Sequence, residues 1–173
     1  MKKKTLYTTV ASCLFSVGLL TNVDAFAAEE ENDKKHTVDA VKEHKDERIS
    51  LTKLTPCYTK IGWGELKLNK NLDNQPIRLK LDNDEVFTFD EGIVAHAYSK
   101  VEYNISEYSE KYPIFQTYVG VDYSRGNRGS VLFKVYTSDD NKNWKEVDHT
   151  EVLSADSKAK LIRVNVKGAN ISV

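Results

Sequence analysis

Two stretches of the chain hold residue types suited to gripping a sugar. The first pairs Ile61-Gly62-Trp63-Gly64 with Gly92-Ile93-Val94-Ala95-His96-Ala97-Tyr98-Ser99, and the second runs from Asp122 to Ser130. An aromatic face stacks on the apolar side of a pyranose, while planar amides, carboxylates and guanidinium groups bond its hydroxyls. The candidate ligand-binding residues are therefore Trp63, His96, Tyr98, Asp122, Arg125, Asn127 and Arg128. Each also suits a structural role. Trp63 between two glycines fits a core indole packed too closely for neighbouring side chains. His96 between two alanines can bond backbone or a nearby hydroxyl. The polar side chains around Gly126 and Gly129 can bond their own turn.

Catalysis is not expected. The sequence has no Gly-x-Ser-x-Gly elbow, no His-Glu-x-x-His, no Walker loop and no paired-cysteine zinc spacing. A glycosidase needs only two acids about 5 to 9 Å apart, such as Glu91 and Asp122, but enzymes of that kind usually need a larger framework. Asp139-Asp140-Asn141-Lys142-Asn143 has the spacing that opens a calcium loop. Trp144 stands where such a loop needs glycine and Thr150 where it needs glutamate, so a hairpin turn is the preferred reading. A structural calcium thus has no clear motif, and no cofactor is expected.

The elements that must carry these residues read as β-strands. Ile77, Leu79 and Leu81 alternate with polar residues, as do Val101, Tyr103 and Ile105; Phe115, Thr117, Val119 and Val121 share one face; Val131, Phe133 and Val135, then Ile162, Val164 and Val166, repeat the pattern. Turn chemistry separates them at residues 72–76, 81–84, 124–129 and 138–143. No convincing amphipathic helix intervenes, and no repeat of 20 to 50 residues is present. Short strands at this spacing predict an all-β sandwich or jelly roll. Trp144, following a turn, is expected in its core.

The first fifty residues are different. Met1-Lys2-Lys3-Lys4, an apolar run from Leu6 to Leu20, and Asp24-Ala25-Phe26-Ala27-Ala28 make a basic start, an apolar middle and a small-residue cleavage site. Residues 1–27 read as a secretory signal peptide, because the apolar run falls short of the roughly 20 residues a membrane span needs. Cys13 matches a lipidation signal only superficially, since the apolar run continues past it. Residues 28–48 are dense in charge and lack aromatic residues after Phe26, which predicts a linker, disordered or transiently helical. His36 and His44 within it read as solvated polar residues rather than metal ligands.

Cleavage after Ala27 removes three lysines and one aspartate, moving the formal charge from −1 to −3. A weakly acidic chain has no general electrostatic attraction for nucleic acid. Only Cys57 would remain, so no internal disulfide is expected; the thiol reads as a small buried or edge residue. Two glycosylation sequons, at Asn104 and Asn170, are set aside because the lysine-rich start looks bacterial.

From about residue 49 to residue 173 the chain resembles the NPCBM domain, a carbohydrate-binding module family found beside glycoside hydrolase family 98. The resemblance is carried by Leu51-x-x-Leu54 leading to Gly62-Trp63-Gly64; by Gly92 to Ser99 followed by Val101-Glu102-Tyr103; and by Phe115-x-x-Tyr118-Val119-Gly120-Val121-Asp122 reaching Gly126-Asn127-x-Gly129-Ser130-Val131-x-Phe133-x-Val135. It implies a galactose-binding-like β-sandwich that recognises glycans and lends targeting rather than chemistry.

Two departures stand out. Tyr123 occupies a place where family members often carry a second acidic residue. After residues 169–173 similar domains continue into a polar segment rich in Asp, Gly and His, which is missing here. Losing a terminal strand is expected to leave an edge unpaired and to favour self-association or marginal stability. The sequence therefore reads as a secreted, extracellular, non-catalytic glycan-binding module without stable membrane insertion. The alternatives are a cell-surface protein-interaction scaffold or the remnant of a larger secreted glycoside hydrolase.

Overall fold

The computed structural model describes residues 19–21, 48–96, 98–126, 129–168 and 170–172. The expected leader, except for residues 19–21, lies outside them, as do nearly all of the linker, Asn127 and Arg128. In chain order the strands are β1 (Leu19–Thr21), β2 (Ile49–Ser50), β3 (Tyr58–Lys60), β4 (Lys67–Leu68), β5 (Ile77–Lys80), β6 (Val86–Phe89), β7 (Ile93–Val94) and β8 (Lys100–Tyr103). They continue as β9 (Ile114–Val119), β10 (Ser130–Val131), β11 (Lys134–Ser138), β12 (Trp144–His149), β13 (Leu153–Ser154), β14 (Lys160–Asn165) and β15 (Asn170–Ser172). Among the described residues the helical segments are two single 3-10 turns, Leu51–Lys53 and Tyr123–Arg125. None of the described helices is long and apolar enough to cross a membrane.

The two main sheets are antiparallel, one ordered β14-β9-β1-β2 and the other β12-β11-β15-β8-β3. Their inner faces meet in one apolar cluster. Phe115 and Val119 of β9 and Ile162 and Val164 of β14 join Val101 and Tyr103 of β8, Val135 of β11 and Ile171 of β15. Leu51, Ile77, Leu79 and Phe133 are wholly enclosed in it. Burying each such side chain contributes about 1.5–3 kcal/mol, which is how a β-sandwich without disulfides holds together. The expected all-β sandwich is therefore the architecture found.

The turns fall where polar residues cluster. Asn74, Asp84 and Asn141 each have positive φ, at 60°, 66° and 57°, a conformation that short polar side chains tolerate better than bulky ones. The Asp139–Asn143 segment is the expected hairpin turn: Asp140 accepts the backbone N–H groups of Lys142 at 2.8 Å and Asn143 at 2.7 Å, and the Asn143 amide at 2.7 Å. These donors hold its carboxyl well below the usual carboxylate range.

Other expectations need correction. Trp144 lies outside the core cluster, because β12 is the outermost strand of its sheet and buries neither face fully. Cys57 takes the second of its two expected settings, exposed beside the edge strand β3, with its thiol donating to the Glu102 carbonyl at 3.4 Å. On β9 the period-two face is buried as predicted, but Ile114 and Gln116 on the opposite face are buried too.

The expected unpaired edge is not at β15, which bonds β11 on one side and β8 on the other. Instead β1, drawn from the predicted leader, lies between β2 and β9: Leu20 stands opposite Ile49 on one side and Phe115 on the other. Cleavage near Ala27 would leave the facing edges of β2 and β9 without that strand.

Candidate functional site

Residues 61–66 connect β3 to β4, and residues 95–99 connect β7 to β8. Because β3 pairs with β8 and β4 pairs with β7, the two connections lie side by side. Reciprocal bonds fasten the far end: the Asn69 N–H reaches the Gly92 carbonyl at 2.8 Å, and the Gly92 N–H reaches the Asn69 side chain at 3.0 Å. Asn69 takes a positive φ of 62° to do so.

Trp63 is 72% exposed, so it is a surface platform and not the core indole that its glycine neighbours also allowed. Its ring meets that of His96 edge-on, with centroids 4.4 Å apart and planes at 78°. Gly64 permits the approach: it has φ +73°, and a Cβ there would lie 3.3 Å from His96 Cδ2. Partial burial pushes the His96 imidazole below its ordinary value of 6.5. A neutral imidazole offers one donor and one acceptor, the pair that a sugar hydroxyl can use.

Tyr98 is 64% exposed and has φ +62°. A bulky residue in that region costs about 1–3 kcal/mol and persists only where its surroundings enforce it. The enforcement here includes buried Ser99, whose hydroxyl donates to the His96 carbonyl at 2.5 Å. The Lys60 ammonium lies 5.1 Å from the centre of the Tyr98 ring. Two contacts thus cross between the β3–β4 and β7–β8 segments, Trp63 with His96 and Lys60 with Tyr98. Sequence reasoning missed Lys60, because the three-residue β3 is too short for its alternation to signal which side chains share a face.

The second predicted stretch is built differently. Asp122 has no exposed surface. One carboxylate oxygen accepts the Arg78 backbone N–H at 3.0 Å; the other accepts the Ser124 N–H at 3.0 Å, the Ser124 hydroxyl, and the Asn71 amide at 3.3 Å. Asn71 in turn accepts the N–H groups of Asp73 and Gln75 at 3.0 and 2.9 Å. Arg125 pairs with Asp73. This is a turn anchor: Asp122 caps the 3-10 turn Tyr123–Arg125 and ties it to the turn at 71–75 and to β5. Of the predicted residues, the structure brings Trp63, His96 and Tyr98 together and places Asp122 and Arg125 in this separate network.

The acids considered for glycosidase chemistry are occupied elsewhere. Glu91 pairs with Lys53 at 3.4 Å, and Asp122 is sealed beneath its turn. Among the described residues, no group of three or more His, Cys, Asp and Glu side chains is arranged to hold a metal ion.

The family model of the NPCBM/NEW2 domain matches residues 47–171. Among solved structures, CBM51 from Clostridium perfringens GH95 in complex with methyl-galactose is 29% identical with a TM-score of 0.61, over 72% of this chain and 81% of that one. The CBM51-2 and INT domains of Clostridium perfringens ZmpB, with CBM51-2 in complex with GlcNAc, give 33% identity and a TM-score of 0.58 over 67% of this chain and 24% of that one. A further structure of the same two ZmpB domains gives 30% and 0.60, over 72% and 28%. This chain therefore spans only about a quarter of those ZmpB chains. No curated protein matches it.

Proposed function

The chain belongs to the NPCBM/NEW2 domain family, and from that premise we propose that it is a secreted, non-catalytic carbohydrate-binding module whose ligand rests on the Trp63, His96 and Tyr98 surface. The observation that carries this reading is Trp63 itself: a large indole, 72% exposed and braced edge-on by His96, is a ready stacking face for a pyranose. The CBM51 neighbours, solved with methyl-galactose and with GlcNAc, support a small neutral hexose as the core of the ligand. The basic, apolar and small-residue order of residues 1–28 supports export. The sealed position of Asp122 supports recognition without hydrolysis.

A glycan array probed with the folded protein tests the proposal. Binding to a defined set of terminal sugars, lost on Trp63→Ala, is the expected result. A folded protein that binds none of them would overturn it.

A further inference from the structure

Lys60, the last residue of β3, stands directly opposite Lys100 of β8. Residues opposite one another in an antiparallel pair project from the same face, and like charges there are destabilising. The protein compensates one of the two. Lys100 is ion-paired with Glu102, and its ammonium lies 4.8 Å from the centre of the Tyr58 ring and 5.2 Å from that of Trp144. Lys60 has no carboxylate partner among the described residues.

Glu65, the acid nearest in sequence, is engaged with another lysine, as is Glu91. Glu65 pairs with Lys67 at 2.5 Å, and Glu91 with Lys53 at 3.4 Å. What Lys60 has is the exposed ring of Tyr98, held beside it by a backbone conformation that bulky residues avoid. Strain of this kind clusters at ligand clamps, where its cost is balanced by the surrounding structure. The aromatic surface is therefore rimmed by an uncompensated cation with a second cation beside it, an arrangement that an anion would stabilise and a neutral sugar would not.

We propose that this surface takes glycans bearing an anionic substituent, a carboxylate or a sulfate, with Lys60 pairing the anion while the sugar ring lies against Trp63 and Tyr98. This inference rests on the Trp63 surface being the glycan site. Lys60 acts as a specificity residue, adding preference to a platform that the rings supply.

Calorimetric titration of the full chain with methyl-galactoside, GlcNAc, lactose, sialyllactose and sulfated lactose tests both levels. Sialyllactose or sulfated lactose is expected to bind roughly two- to fivefold more tightly than lactose, the range an exposed ion pair supplies, with the advantage shrinking at high salt. Whichever of the two binds better identifies the anion as carboxylate or sulfate. Lys60→Gln should bring the charged-to-neutral affinity ratio to about one, whereas Lys145→Gln, an exposed charge on β12, should leave the ratio as it is. Binding of neutral sugars with no charged preference, or a preference that survives Lys60→Gln, would overturn this inference alone. Failure of all five probes would overturn the glycan-site reading with it.

Discussion

The imidazole of His96 stands 4.4 Å from the indole of Trp63, edge to face at 78°, with Gly64 packed so near His96 that an added Cβ would lie 3.3 Å from its Cδ2. Gly64→Ala is expected to disturb this contact twice over. The new methyl would meet His96 Cδ2 at 3.3 Å, and alanine does not readily adopt φ +73°. A stability loss of about 1 kcal/mol or more should accompany weaker sugar binding. Thermal unfolding and a sugar titration on the same variant check both effects, and an unchanged melting midpoint would count against the strained approach.

Asp122→Ala separates anchoring from ligand contact. It removes the acceptor for the Arg78 and Ser124 N–H groups and for the Asn71 amide, all around a side chain with no exposed surface. Buried donors left unpaired cost about 1–3 kcal/mol, so the denaturation midpoint should fall. Sugar affinity measured well below that midpoint should change little, and a lost affinity with an unchanged midpoint would reverse the assignment.

His96 gives a pH dependence of known sign. Burial lowers its folded-state pKa below 6.5, so the unfolded chain binds the proton more readily than the folded one. Its contribution to stability is therefore full above about pH 6.5 and declines as pH falls through that value, continuing down to the lowered folded-state pKa. An NMR titration should give a His96 midpoint below 6.5. A midpoint above it would contradict the burial seen here.

The place of β1 predicts what removal of residues 1–27 does. The facing edges of β2 and β9 carry backbone donors and acceptors that Leu19–Thr21 satisfies. A chain of residues 28–173 should unfold at a lower temperature than the full chain and show a mass that rises with concentration, as unpaired strand edges do. A stable monomer by light scattering would show that another segment closes the gap.

Much of this fold was legible in the sequence. Ile77 and Leu79, Val101 and Tyr103, and Ile162 and Val164 alternate with polar residues, and the structure turns each pair inward. The turn at 138–143 was legible because Asp and Asn offer side-chain acceptors to the backbone.

What escaped sequence reading depended on neighbours far along the chain. Asp122 resembles a binding residue until Arg78, 44 positions away, is seen donating to it. Trp144 resembles a core residue until its strand proves to be the sheet's outermost. Trp63 could not be assigned to core or surface from its glycines, since both settings need a small neighbour; the position of His96 decided it. Lys60 and Tyr98 come together only because β3 pairs with β8, a register that no local pattern encodes.

Sugar binding on Trp63 can be read directly from the indole N–H resonances of the two tryptophans, assigned with Trp63→Phe, during titration with methyl-galactoside and GlcNAc. The expected result is a saturable shift of the Trp63 signal that is larger than that of Trp144, whose ring contacts Lys100 rather than the Trp63 platform. A sugar that saturates the protein without moving the Trp63 signal, or moves neither signal at any concentration, would contradict a ligand resting on this platform.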